Sequence, residues 1–371
     1  MQQKHQDLLD MLLDVVKTKY TDDISVMFIY GSCVNGTSHS KSDLDIIFIP
    51  KTKRGRSFSK TFILDGVGYD LWGANWGTLE RFANFDDMKV SVLAESQLVY
   101  SASDADRQKY EALKQKANAI ENGTLTRELY DKAEEHLKQA EPYYDELDRT
   151  QSLVAVGGIL MELCNTVCLL NHTYLHFGCK QVARELAALE HLPENFVPMF
   201  TAVIEQTATA KETCAALIKK TKAFLQDIQK DLPPAAPGLP KPTRLLSRFR
   251  KKTEQFLRRR KHKKAPTVSD FAGLYEEISS HWNKIRVSCA NGDAAYAFLS
   301  AVSLQHTLDC VQNSLGSDDP ALRFIKAFDS RSLEQFAMEA DKAEAAFLEY
   351  LRREGVPIAY YDNLEELRQS F

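Results

Sequence analysis

Two acids, Asp43 and Asp45, stand one residue apart at the entrance of the apolar run "DLDIIFIP", and a Gly-Ser pair, Gly31 and Ser32, precedes them by a ten-residue spacer. In a strand, residues i and i+2 share a face, so both carboxylates would project together, about 6–7 Å apart at Cα. Leu44 and Ile46 would then turn to the opposite, buried face. Like charges this close repel unless a cation joins them. Mg2+ suits the task, because it is a hard ion that prefers carboxylate oxygens and substrate phosphates. A third acid, Asp70 in "VGYDLWG", reaches the same place if its strand pairs beside that of Asp43. Three carboxylates can hold two Mg2+ about 3.5–4 Å apart, which clamps the attacking and leaving oxygens of an in-line displacement at phosphorus. Asp65 competes for the third position, but Asp65-Gly66 suits a tight turn better.

Gly31 and Ser32 supply the other half of such a site. Glycine permits close backbone approach, Ser32 offers a hydroxyl, and the N–H groups after it can cradle a phosphate. The elements that must position these groups are legible as a short series. Residues 6–19 carry Leu8, Leu9, Leu12, Val15 and Val16 at helical spacing. "ISVMFIY" (24–30) and "DLDIIFIP" read as strands, and "KTFILDGVGYDLWGANW" reads as a hairpin. From about residue 77 the pattern turns helical, with long helices expected over 124–148, 151–177 and 195–230. "DLPPAAPGLPKP" (231–242), with five prolines and a glycine, reads as an extended linker. A further helical set runs to the end of the 371 residues.

The fold class expected is therefore α+β: a small mixed-sheet domain over 1–120, a helical bundle over 121–232, a Pro-rich and basic linker over 233–266, and a helical unit over 267–371. The apolar share is 44%, enough for real cores, and no run of eighteen uncharged apolar residues exists. The first twenty residues lack the basic start and unbroken apolar stretch of a signal peptide, and the seven cysteines, without tight spacing, suit reduced thiols. A cytoplasmic protein without a transmembrane segment is expected. The net charge of −4 conceals a strip, 241–264, with twelve Lys or Arg and one acid, Glu254; it carries +11, leaving −15 on the rest.

The order apolar residue, Gly-Ser, spacer, Asp-apolar-Asp-apolar, then a later apolar-Asp-apolar strand, resembles the nucleotidyltransferase fold of the DNA polymerase β superfamily, over roughly residues 20–75. The resemblance implies that Gly31 and Ser32 bind phosphate, that Asp43 and Asp45 bind metal, and that Asp70 is the third carboxylate. It implies two Mg2+ and a nucleoside triphosphate, with ATP the expected one. The layout, a small catalytic domain followed by a bundle, is similar to aminoglycoside- and lincosamide-type nucleotidyltransferases, in which the second domain walls the acceptor pocket. Transfer of a nucleoside monophosphate to a hydroxyl of a small-molecule acceptor, with release of pyrophosphate, is the function expected. The acceptor would lodge between the first domain and the bundle.

Other residues invite weaker readings. Glu162, in an apolar helix, is the candidate base for the acceptor hydroxyl, and Lys180, after a Gly-Cys turn, is a candidate phosphate ligand. Cys164, Cys168, His172 and His176 fall at four-residue steps, but over one helix they would span about 18 Å, too far for one zinc. Lys284 and Arg286, on a helix ending at Asn291-Gly292, read as surface residues. The strip 241–264 can form a cationic amphipathic helix able to touch RNA or an anionic surface. It leaves terminal nucleotide addition to RNA as an alternative, beside protein AMPylation and a non-catalytic, antitoxin-like module.

Overall fold

The computed structural model describes residues 1–232 and 273–371. The proline-rich linker beyond Leu232 and the basic strip 241–264 lie outside the described residues. The architecture is α+β, a six-stranded mixed sheet with helices on both faces.

Strands β1 (Ile24–Tyr30), β2 (Asp45–Pro50), β3 (Lys60–Leu64), β4 (Val67–Gly73), β5 (Gln97–Ser101) and β6 (Tyr360–Tyr361) follow the order β5-β1-β2-β4-β3-β6. β1 and β2 are antiparallel, and β2 and β4 are parallel with Ile46 opposite Leu71. β3 and β4 form the expected hairpin, and Asp65 and Gly66 turn it with φ of 53° and 70°. Two positive φ values in a two-residue turn match the right-handed twist of the flanking strands. β5 and β6 were not legible. β6 brings residues from near the end of the chain to the edge of β3.

The sheet separates two apolar cores. Met27, Ile29, Leu44, Ile46 and Phe48 face the first helix, Gln3–Lys19, and the last, Leu364–Gln369. Val26, Phe28, Ile47 and Ile49 face the other way, into a core continuous with the remaining helices. The alternation along β2 fixes its register, since a one-residue slip would put Asp45 into the first core.

The expected long helices are present with altered ends. They are Arg127–Thr150, Leu153–Leu170, and a pair, Phe196–Ile204 and Ala210–Gln229, separated where Gln206 takes φ 57°. Leu153–Leu170 is long and apolar enough to cross a membrane by length and composition, but 94% of it is buried inside the protein. It is the central helix of the bundle, packed against Arg127–Thr150. After the undescribed segment, Leu274–Ala290 packs across β3 and β4 and continues, through Gly292 at φ 71°, into Ala294–Leu315. The tight seat is at Gly68: a Cβ there would lie 1.7 Å from Ser279 Oγ and 2.5 Å from the Glu276 carbonyl oxygen. A residue without a side chain is what lets this helix lie on the sheet beside Asp70.

Candidate active site

Asp45 opens β2, and Asp43 lies two residues earlier in the preceding loop, so the strand begins later than the sequence pattern suggests. Leu44 and Ile46 are buried on the far face, as the alternation requires. Because Ile46 pairs with Leu71, the positions before them, Asp45 and Asp70, are neighbours on adjacent strands. Asp70 is exposed on β4. The three predicted acids thus meet at one end of the sheet and line the same cleft, of about 470 Å3.

Gly31 takes φ 71°, and a Cβ built there would lie 2.2 Å from Asp45 Oδ2. The carboxylate rests directly on the bare backbone, so any other residue would push it away. Ser32, 3% exposed, begins a four-residue helix, Ser32–Asn35. The first helix pins both segments. His5, fully buried, lies with Nε2 3.0 Å from the Ser42 carbonyl oxygen and Nδ1 3.2 Å from Cys33 Sγ. Burial lowers the His5 pKa. In the neutral ring, Nε2–H donates to Ser42 and Nδ1 accepts from the thiol. Cys33 also reaches the Asp43 carbonyl oxygen at 3.5 Å. This clasp ties the Gly-Ser turn to the acid loop.

The electrostatics are unusual for a strand end. The Asp45 carboxyl is pushed up to about 7, first by burial and then by the charge of Asp43, against the opposing pull of Lys284 and Lys180. Lys284 Nζ stands 3.8 Å from Asp43 Oδ2. Lys180 Nζ is 3.4 Å from Thr37 Oγ1, in the loop between Ser32 and Asp43. Burial lowers the Lys180 pKa, and the Lys284 charge lowers it further. Two ammonium groups and two carboxylates therefore crowd one place, drawn from three distant parts of the chain.

Each lysine is held by its own scaffold. Lys180 follows a turn with Gly178 at φ 61°. That turn is anchored by His176, whose Nδ1 and Nε2 lie 2.8 and 2.9 Å from Glu95 and Glu121. The Glu185 carboxylate accepts from the backbone N–H groups of His176 and Phe177. The hydrogen bond that His176 donates to Glu95, above all, holds the imidazole up at about 9. Lys284 belongs to a polar stripe, Glu277, Ser280, His281 and Lys284, that lines the cleft at the i, i+3, i+4, i+7 spacing of one helix face. Ser303, His306 and Thr307 of the next helix continue that wall.

Several expectations require correction. No residue of 121–232 lines the cleft, so its wall comes from the C-terminal helices and not from the bundle. Glu162 does not meet the acids. It is 3% exposed, and its Oε2 lies 2.6 Å from His136 Nδ1, within the bundle. Lys284, read as a surface residue, is at the site, whereas Arg286 on the same helix pairs with Asp341 and Glu344. The helix carrying Cys164 and Cys168 ends at Leu170, so His172 and His176 are not on it, and both thiols are buried. Ser32 and Lys180 border the acid pair but do not line the cleft.

Among the described residues, no three His, Cys, Asp or Glu side chains gather closely enough to hold a metal ion by themselves. A Mg2+ site does not need such a cage, since one or two carboxylates plus substrate phosphates and water suffice. Asp43 and Asp45 are hard oxygen donors of that kind. Burial first, and then the charge of Asp43, raises Asp45, and the second of these is what a divalent cation would relieve. The chain matches no protein-family model and no curated protein.

Proposed function

We propose that the protein is a Mg2+-dependent nucleotidyltransferase that moves a nucleoside monophosphate from a nucleoside triphosphate, ATP first among them, to a hydroxyl of a small-molecule acceptor, releasing pyrophosphate. The observation that carries this reading is the Asp43–Asp45 pair lining one cleft, with Asp45 resting on Gly31 and with Lys180 and Lys284 beside the pair. It is the arrangement that two carboxylates, a cation and a triphosphate require together.

Asp43 and Asp45 would hold Mg2+, which when bound supplies charge neutralisation at the phosphate oxygens, and Asp70 lines the same cleft from the neighbouring strand. The chain's own residues do the rest. The bare backbone of Gly31 seats the Asp45 carboxylate, and the Gly31-Ser32 turn beside it offers N–H groups and a hydroxyl to a phosphate. Lys180 adds positive charge along the triphosphate. The sheet end and the polar stripe of Leu274–Ala290 hold the acceptor against the α-phosphorus. Phosphoryl-type transfer leaves little covalent work for side chains, so alignment and charge supply most of the rate. Glu162 lies in the bundle, so the acceptor proton passes to water or to a cleft group; His281 and His306 are the imidazoles that line the cleft.

The test is pyrophosphate release from labelled ATP with Mg2+ and pooled acceptors: polyols and aminoglycosides, proteins, and RNA. Release that depends on an acceptor pool, and disappears in Asp43→Ala and Asp45→Ala, supports the reading. Variants as active as the parent would overturn the site. The strip 241–264, at +11, favours RNA as the second acceptor class. In that case affinity for RNA falls steeply with salt and is lost on deleting the strip.

A further inference from the structure

The site holds its own positive charge. Lys284 reaches Asp43 from a helix more than two hundred residues away in sequence, and its ammonium is 3.8 Å from Oδ2. Lys180 is close enough for the two ammonium groups to act on each other, and both act on Asp45. Two lysines beside the aspartates place resident positive charge at the carboxylates in the absence of ligand, with Lys284 paired to Asp43. A divalent cation arriving alone would meet carboxylates already answered, and its charge would add to that of two ammonium groups. A divalent cation arriving with a triphosphate comes in a complex of net negative charge, and the lysines then have phosphate oxygens to face.

We propose that Lys284 is an exchangeable counter-ion: it neutralises Asp43 in the ligand-free protein and passes to the triphosphate when a divalent cation takes Asp43, so that metal and nucleotide enter together and metal alone is excluded. The inference rests on the nucleotidyltransferase reading and extends it to the C-terminal helix. The helix geometry permits the exchange. Lys284 is the last member of the cleft-facing stripe, its side chain is 28% exposed, and its stem is unbranched. The buried face of the same helix, Ile278, Trp282 and Ile285, is fixed in the core and holds the root of the side chain in place. A lysine is suited to this, being a compact point charge on a flexible stem. Arg286, two residues on, is occupied on the other side by Asp341 and Glu344 and takes no part.

The test uses the full chain, Mn2+ as the metal probe and α,β-methylene-ATP as the nucleotide probe, with free Mn2+ read by electron paramagnetic resonance. For the parent, Mn2+ alone binds weakly, and the nucleotide tightens it at least about tenfold. Removing the resident charge in Lys284→Met raises affinity for Mn2+ alone about tenfold and lowers affinity for the nucleotide in the presence of Mn2+ by a similar factor. Lys284→Arg keeps the charge and keeps the coupling; thermal melts confirm that each variant is folded, and Lys284→Gln replaces the Met variant if that one is not. Equal Mn2+ affinity in parent and neutral variant, with nucleotide binding intact, overturns the counter-ion and leaves the transferase reading standing. A parent that binds no nucleotide with Mn2+ overturns both.

Discussion

Two sheltered carboxylates in this chain have opposite surroundings. Glu162, in the middle of the bundle, has a histidine nitrogen at 2.6 Å and an apolar helix around it. Asp45, at the sheet end, has a bare glycine beneath it, two other acids beside it, and a cleft in front of it. Glu162 is buried and Asp45 half-buried, and their company differs more sharply than their burial. A buried acid answered by one close partner is part of the fold, whereas an acid set among like charges and lysine ammonium groups at a cleft can exchange those partners for a ligand.

The largest expected effect falls on the Asp45 side of this contrast. Asp45→Asn should lower nucleotidyl transfer roughly 10³–10⁴-fold, because an oxygen donor to the metal is lost where charge develops. Its thermal stability should not fall, because a repulsive charge is removed. Pyrophosphate release and a melting curve, measured on the same preparation, read both halves. Glu162→Ala should do the reverse: about 3 kcal/mol less stability in urea, since His136 loses its buried partner, with nucleotide binding retained by the folded molecules. A double change, His136→Phe with Glu162→Leu, should recover much of that loss, as replacing a buried pair by apolar groups often does. Glu162→Ala that abolished nucleotide binding in folded protein would break the comparison.

pH sharpens it. The folded Asp45 carboxyl is raised to about 7, above its ordinary value of 3.8. The folded state therefore favours the protonated form. The contribution is fully present below the unfolded value and disappears as pH rises through about 7. Parent stability relative to Asp45→Asn should decline across pH 4 to 7, by on the order of 2 kcal/mol for a partly sheltered side chain. Equilibrium unfolding of both proteins at several pH values checks the sign.

The smallest effect concerns the clasp behind Lys180. His176 is raised to about 9 by Glu95 and Glu121. That stabilisation is complete below pH 6.5 and is lost as pH rises through about 9. His176→Gln should cost about 1 kcal/mol at pH 6 and little above pH 10, and should weaken nucleotide binding modestly by loosening the turn that carries Lys180. A uniform loss at all pH values would speak against the clasp.

The parts of the site that could be read from sequence are those fixed by short-range rules. The spacing of Gly31, Ser32, Asp43 and Asp45 needs only strand alternation and a turn. Asp70 needs one further assumption, that the hairpin arm pairs with β2, and the Ile46–Leu71 register meets it. Lys180 follows a turn visible as Gly178-Cys179. Lys284 was illegible because its place depends on a helix crossing the sheet at Gly68, a contact between residues two hundred positions apart. The polar stripe at 277, 280, 281 and 284 was the available signal: a helix with Trp282 and Ile285 on one side and four polar groups at one-turn spacing on the other has two inward faces. Glu162 misled for the converse reason. An acid in an apolar helix faces either a pocket or a partner, and only His136, from another helix, decides between them. β6, two residues long, carries no pattern of its own and is a strand only because β3 offers it an edge.

The central claim is that Asp43 and Asp45 together receive a metal-bound nucleotide. Isothermal titration of Mg2+ and α,β-methylene-ATP into the parent, Asp43→Ala and Asp45→Ala tests it without an acceptor. The account predicts one nucleotide per chain for the parent and affinity at least about a hundredfold weaker in both variants. Variants that bind the nucleotide as tightly as the parent would contradict it.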